Sequence, residues 1–192
     1  MIIKNEMLMT IKCSVFIAVS LDGYIAREDG SIDWLMKANE LAPEGEDGGY
    51  QAFIANVDAI IMGRHSFEMV KTFNPWPYTL PVIVLGQQPI EIPDALKKSV
   101  THSSETPFEL RTRLSSQGYQ HLYIDGGITI QRFLRAGCID ELIITVIPVL
   151  LGQGRRLFGE VEEDVRLQLI KSHTLNGGFV QMHYKIIREL HD

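Results

Sequence analysis

The stretch "HLYIDGGITIQRFL", residues 121–134, decides how this chain folds. It opens as a short apolar strand, passes through Asp-Gly-Gly, and continues with the apolar spacing of a helix. A strand that runs directly into a helix is half of a strand-helix-strand crossover, and such crossovers join parallel strands. The paired glycines have two readings. They can form a tight turn, or they can let the backbone approach a ligand's phosphates where the helix begins.

Outward from this unit the alternation repeats. "IKCSVFIAVS" (11–20) is a nearly continuous apolar run rich in β-branched residues, as suits a strand buried on both faces. A turn, "LDGYIAREDG" (21–30), follows it. "SIDWLMKANE" (31–40) reads as a helix with Ser31 as its N-cap, and "YQAFIANV" (50–57) as a second short helix, with the loop-like "APEGEDGG" (42–49) between them. Strand "DAIIMG" (58–63) precedes helix "RHSFEMVKTF" (64–73), and strand "LPVIVLG" (80–86) ends in the turn "GQQP" (86–89). "PFELRTRLSSQG" (107–118) is an amphipathic helix stopped by Gly118. After the central unit comes strand "IDELIITVIPVLL" (139–151). "VRLQLIKSHTL" (165–175) and "GFVQMHYKII" (178–187) then flank Asn176-Gly177-Gly178, a hairpin signal. The pattern predicts a three-layer α/β/α domain whose mixed, mainly parallel sheet gains a C-terminal antiparallel hairpin at one edge.

With 192 residues, 45% of them hydrophobic and 22% charged, the chain suits one globular domain with a sizeable core. Residues 1–10 read as an N-terminal extension; they lack the apolar run and cleavage site of a signal peptide. A formal net charge of -6 argues against nucleic acid or an anionic membrane as the main partner. The most apolar segment, "ELIITVIPVLLGQG", is too short to span a bilayer and contains Pro148. Cys13 and Cys138 stand far apart, with neither a disulfide framework nor metal-ligand spacing around them. A cytoplasmic protein without a metal site is expected. His121, His173 and His183 fall on strand patterns without partners at ligand spacing, as surface or core histidines do.

In open α/β sheets ligands bind beyond the carboxyl ends of the parallel strands, which directs attention to three loops. In "MGRHS" (62–66), Arg64 can fork onto a phosphate beside helix-terminal amides. "LGQQ" (85–88) offers small and amide side chains to a ribose or adenine edge, and "DGG" (125–127) offers backbone N–H groups to a pyrophosphate. The first strand is followed by "SLDGYI" rather than G-x-G-x-x-G, which disfavours a Rossmann dehydrogenase.

The segments "IMGRHSFE", "VIVLGQQP" and "YIDGGITIQRFL" closely resemble dihydrofolate reductases in order and spacing. "VFIAVSLDGYIAREDGSIDWL" and "DELIITVIPVLLGQGRRLF" are more similar still to the reductase domain of the bifunctional deaminase-reductase of riboflavin biosynthesis and its stand-alone relatives. The resemblance runs from about Ile11 to Ile187 and implies an NADPH-dependent reductase of the dihydrofolate reductase-like fold, acting on a small molecule and forming a homodimer through the final β-ribbon. By position it places Ala18 and Ile25 beside the nicotinamide and Gly63, Arg64, His65 and Ser66 at the 2′-phosphate and pyrophosphate. It places Leu85, Gly86 and Gln87 at the adenosine, and Asp125, Gly126, Gly127, Ile128 and Thr129 at the pyrophosphate. The preference for NADPH rests on Arg64 and His65, since a 2′-phosphate needs local cations. Asp125 is the odd member, because a carboxylate repels a pyrophosphate; its side chain is expected to turn away and bind the local backbone.

The helix acid that orients the pterin in dihydrofolate reductases has no clear equivalent. Asp33 is the acidic candidate for catalysis, with Thr145 as a polar group facing the cleft and Trp34 as an aromatic wall. Each has a plainer reading: Asp33 in a first helical turn favours the helix dipole, and Trp34 suits a core. Asp22 is a substrate candidate that can equally shape a turn with Gly23. Gly154 and Arg155 stand near the substrate mouth, where an arginine could bind a substrate phosphate or remain solvated. The implied reaction resembles reduction of 5-amino-6-(5-phosphoribosylamino)uracil, with hydride transfer to a pyrimidine- or pterin-linked substrate. Dihydrofolate reductase activity and a non-catalytic NADPH-binding module are the alternatives. No His-x-Glu with a paired-cysteine zinc motif occurs in the chain, so a deaminase half is missing from it.

Overall fold

Eight strands form one sheet in the order β5-β4-β3-β6-β1-β7-β10-β9. They are β1 (Lys12–Ser20), β3 (Ala59–Gly63), β4 (Val82–Leu85), β5 (Val100–Ser103), β6 (His121–Asp125), β7 (Glu141–Ile147), β9 (Leu167–Thr174) and β10 (Val180–Ile186). The computed structural model describes residues 11–40, 43 and 45–188, so the N-terminal extension expected at 1–10 lies outside the described residues. From β5 to β7 all neighbours are parallel; β10 runs antiparallel to both β7 and β9. This is the mixed sheet with a terminal hairpin that the sequence predicts.

Period-two alternation gives each strand two apolar faces, and helices cover both. On one face Ile60, Met62, Val82 and Val84 pack against Phe53 of α2 (Tyr50–Ile54) and Phe67 and Val70 of α3 (Arg64–Val70). On the other, Val15, Ile61, Leu122 and Ile124 meet Leu110 and Leu114 of α4 (Pro107–Ser116) and Ile130 and Phe133 of α5 (Gly127–Arg135). Neither face alone could bury these side chains, so the three layers follow.

Local chemistry sets the ends of α4. Thr106 accepts from the Glu109 N–H at 3.3 Å while the Glu109 carboxylate accepts from the Thr106 N–H at 2.9 Å, a capping box with Pro107 in the first turn. Gly118 follows the C-cap at φ 89°, where the sequence expects the stop. Helix α1 (Asp33–Asn39) begins later than the sequence suggests: Ile32, not Ser31, occupies the N-cap, and no side chain caps it. The Ser31 N–H is instead taken by the Asp29 carboxylate at 2.8 Å, which closes a turn. Three further strands escape the sequence reading. They are β5, a short edge, and β2 (Tyr24–Ala26) with β8 (Arg155–Arg156), which pair antiparallel in a ribbon of their own.

Candidate active site

Strand β1 stays paired with β7 through Ser20 but with β6 only from Lys12 to Ser14. Beyond Ser14 the two central strands separate, and a cleft of about 730 Å³ opens at their carboxyl ends. Its floor is Phe16, Ile17 and Ala18 on one side and Tyr123, Asp125 and Gly126 on the other. Ile32 and Leu35 near the start of α1, with Met69 of α3, wall one end.

Two glycine positions show how closely the backbones approach. Gly126 has φ 85°, and a Cβ there would collide with the Ser66 Oγ. A Cβ on Gly63 would sit 2.8 Å from the Thr129 Oγ1. The starts of α3 and α5 therefore lie side by side, with their N–H groups and the Ser66 hydroxyl at the cleft.

Of the residues assigned to a cofactor from sequence, Ala18, Ile25, Gly63, Arg64, His65, Ser66, Leu85, Asp125, Gly126, Gly127, Ile128 and Thr129 line this one cleft. Gly86 and Gln87 lie just beyond it; the Gly86 carbonyl meets the His102 Nε2 at 2.8 Å. The Arg64 guanidinium donates to the Gln88 and Pro89 carbonyls at 2.7 and 2.6 Å, which fixes the loop after β4 against the cleft wall. Arg132, Arg155 and Arg156 add cations to the same cleft.

Asp125 keeps its place in the wall. Its carboxyl accepts from the Gly126 N–H, as its expected local bond requires, and from the Tyr123 hydroxyl at 3.4 Å. Burial pushes its pKa up to about 6. The Tyr123 hydroxyl donates more strongly to the Phe16 carbonyl, at 2.9 Å, so the carboxylate has little to offset its desolvation. Among the described residues no arginine or lysine figures among the groups that shift it.

The structure brings few of the substrate and catalytic candidates to the cleft. Arg155 lines it, with its Nε donating to the Glu28 carbonyl at 3.2 Å. Asp33 lies outside, paired with Arg27, whose Nη2 is 3.1 Å from the carboxylate and holds its pKa below the usual range. Trp34 is buried with Ala38, Ile147 and Phe179. Asp22 ties two loops together: it accepts from the Ser20 hydroxyl at 2.6 Å and from the Leu151 and Gly152 N–H groups at 3.0 and 2.7 Å, and these bonds lower its pKa to about 2. Gly154 has a Cβ position occupied by the Ala26 carbonyl, so it serves the contact between the β2 and β8 segments. Thr145 is the register neighbour of Ala18 but accepts from the Gln181 amide at 3.0 Å and does not line the cleft.

Phe16 and Tyr123 were missed, although a signal existed. Each stands two residues before a predicted site residue on the same strand, and period two places both pairs on one face. Arg132 follows one helical turn after Ile128. Among the described residues no cluster of His, Cys, Asp and Glu could hold a metal, and no helix is long and apolar enough to cross a membrane.

The model of the RibD C-terminal domain family matches residues 12–181. The Bacillus subtilis protein YwjB is 41% identical over 176 residues, which are 90% of this chain and 97% of that one. A crystal structure from Shewanella sp. PV-4, named for riboflavin biosynthesis, is 40% identical and superposes with a TM-score of 0.87 over 93% of this chain and all of that one. Dihydrofolate reductase from Enterococcus faecalis, solved with NADP(H), has the same fold at 17% identity, with a TM-score of 0.61 over 92% of this chain and 97% of that one.

Proposed function

Because the chain belongs to the RibD C-terminal domain family, we propose that it is an NADPH-dependent reductase acting on a pyrimidine- or pterin-linked substrate of the kind reduced in riboflavin synthesis. The residues present fit the cofactor. The β1/β6 gap is flanked by Ala18 and Gly126, the apposed starts of α3 and α5 supply amides for a pyrophosphate, and Arg64 supplies a cation, with the His65 ring beside it, for a 2′-phosphate. Bound NADPH would supply the hydride.

The chain must then supply a proton, and Asp125 supports the reading most directly. It is a carboxyl in the cleft wall whose pKa of about 6 leaves a protonated fraction near neutral pH, as a general acid requires. Asp33 is paired with Arg27 and does not line the cleft, so Asp125 is the better placed acid. Tyr123 stands beside it, with its hydroxyl 3.4 Å from the Asp125 carboxyl. Phe16, Ile32, Leu35 and Met69 shed water and offer apolar surface to a flat ring. Arg155 at the rim is placed to receive an anionic substituent such as a ribosyl phosphate.

The test is NADPH oxidation with 5-amino-6-(5-phosphoribosylamino)uracil and, separately, dihydrofolate. Turnover of the first, with kcat lowered about 10²- to 10⁴-fold in Asp125→Asn and NADPH affinity retained, is expected. Turnover of dihydrofolate alone would transfer the protein to the other activity, and tight NADPH binding without turnover of either substrate would favour a binding module. A homodimer is proposed through β9, at one edge of the sheet, where Leu169 and Ile170 beside a bulge are 51% and 53% exposed.

A further inference from the structure

A second cavity, of about 470 Å³, lies on the sheet at the opposite end of the parallel strands from the cleft. It opens where α2 stops covering the sheet and the faces of β7, β10 and β9 continue beyond it. Strand register places Lys171 beside His183 and His173 beside Gln181, all toward this cavity.

Its charges are unevenly matched. Glu141, the acid among the described residues of the wall, is already engaged by the Lys12 Nζ at 2.8 Å and the His183 Nε2 at 3.1 Å. His121 is committed as well: one ring nitrogen donates to the Asn56 carbonyl at 2.7 Å, the other is paired with the Ser14 hydroxyl at 2.8 Å, and burial pushes the ring's pKa down. Lys171, by contrast, has no partner among the described residues, and the His173 Nδ1 is buried without a hydrogen bond. In a chain of formal net charge -6 the unpaired Lys171 ammonium beside this ring nitrogen is a local feature. Beside it, Phe16 and Phe53 stack with ring centroids 5.0 Å apart and give the cavity an apolar wall.

We propose that this cavity binds a small anion, a carboxylate or phosphate ester carried on a flat apolar ring, with the ring against Phe16 and Phe53 and the anionic group toward Lys171 and His173. The volume suits a molecule of that size. The site is distinct from the cleft and does not depend on the reductase reading. It shares Phe16 with the cleft, where the Phe16 carbonyl receives the Tyr123 hydroxyl, so an occupant would press on a residue that the cleft also uses.

Phenyl phosphate and benzoate, titrated into the full chain by calorimetry and followed by amide NMR, test the proposal, with benzyl alcohol as the uncharged analogue. Both anions should bind saturably and shift the amides of Phe53, Lys171 and His173. Benzyl alcohol should bind at least about tenfold more weakly, as expected for loss of a charge-assisted contact. Lys171→Glu, on β9 two residues from the dimer contact proposed at Leu169, should weaken both anions by at least about tenfold while the mass by light scattering stays that of wild type, His173→Ala should weaken them less, and NADPH affinity should stay unchanged in either variant. Absence of saturable binding, equal affinity for benzyl alcohol, unaltered affinity in Lys171→Glu, or shifts confined to the cleft would each overturn it.

Discussion

Replacing Asp125 by Asn should stabilise the protein at pH 7.5 while it disables the proposed chemistry. Burial raises this carboxyl from 3.8 to about 6, so folding favours the protonated form. A group whose pKa rises on folding contributes its full stability below the unfolded value and loses it as pH climbs through the folded value. For Asp125 that window runs from about pH 4 to pH 6. A shift of about 2 pH units, at about 1.4 kcal/mol each, amounts to about 3 kcal/mol at full ionisation. Asn carries no charge and escapes the penalty. Carboxyls such as Asp22 and Asp33, whose pKa values are lowered, act with the opposite sign mainly below pH 4 and cancel between the two proteins. Urea unfolding of both from pH 4 to pH 7.5 should show the variant gaining on wild type by roughly 2 to 3 kcal/mol across the range, about 1 M in midpoint for a chain of this size. Parallel pH profiles would refute the reasoning. Asp125 would then be an ordinary carboxylate, ionised at working pH, and the proton would have to come from elsewhere.

Arg64→Ala should raise the Kd for NADPH about 10- to 100-fold more than that for NADH by fluorescence titration, since release of the Gln88–Pro89 loop weakens both dinucleotides alike; equal losses would move 2′-phosphate recognition to another cation. Gly126→Ala should cost about 1 to 3 kcal/mol in thermal unfolding, because the left-handed φ and the Ser66 hydroxyl both oppose a Cβ; an unchanged Tm would show that the cradle yields. Thr106→Ala should lower stability by about 1 kcal/mol in urea through loss of the α4 cap, without changing NADPH affinity. Leu169→Lys should give monomers by light scattering at concentrations where wild type is dimeric; monomeric wild type would remove the proposed interface.

What could be read along the chain was whatever depends on near neighbours. Apolar runs such as 11–20 and 58–63 mark buried strands, the Thr106 to Glu109 spacing and Gly118 mark both ends of α4, and strand-turn-helix continuity at 121–134 requires parallel pairing. These follow from backbone sterics and hydrogen bonding within a few residues. The loops that line the cleft were legible for the same reason, since "MGRHS" and "DGG" each carry their chemistry in consecutive residues. Ser31 misled because its N–H is taken by the Asp29 carboxylate, which closes the turn there and leaves Ile32 at the N-cap.

Tertiary structure alone decided the rest. No local pattern states that β1 and β6 part after Ser14 while β1 and β7 continue, because where a ladder ends depends on three strands meeting. That parting creates the cleft and leaves Asp125 in its wall with a raised pKa, whereas the charge pattern alone made it only a misplaced carboxylate. Asp33, Trp34, Asp22 and Thr145 look equally plausible in one dimension. Their roles depend on partners far along the chain or across the sheet, such as Phe179 for Trp34, Leu151 for Asp22 and Gln181 for Thr145. A sequence gives each side chain its chemistry, but burial and partners give it a charge state and an address, and those exist only once distant segments have packed.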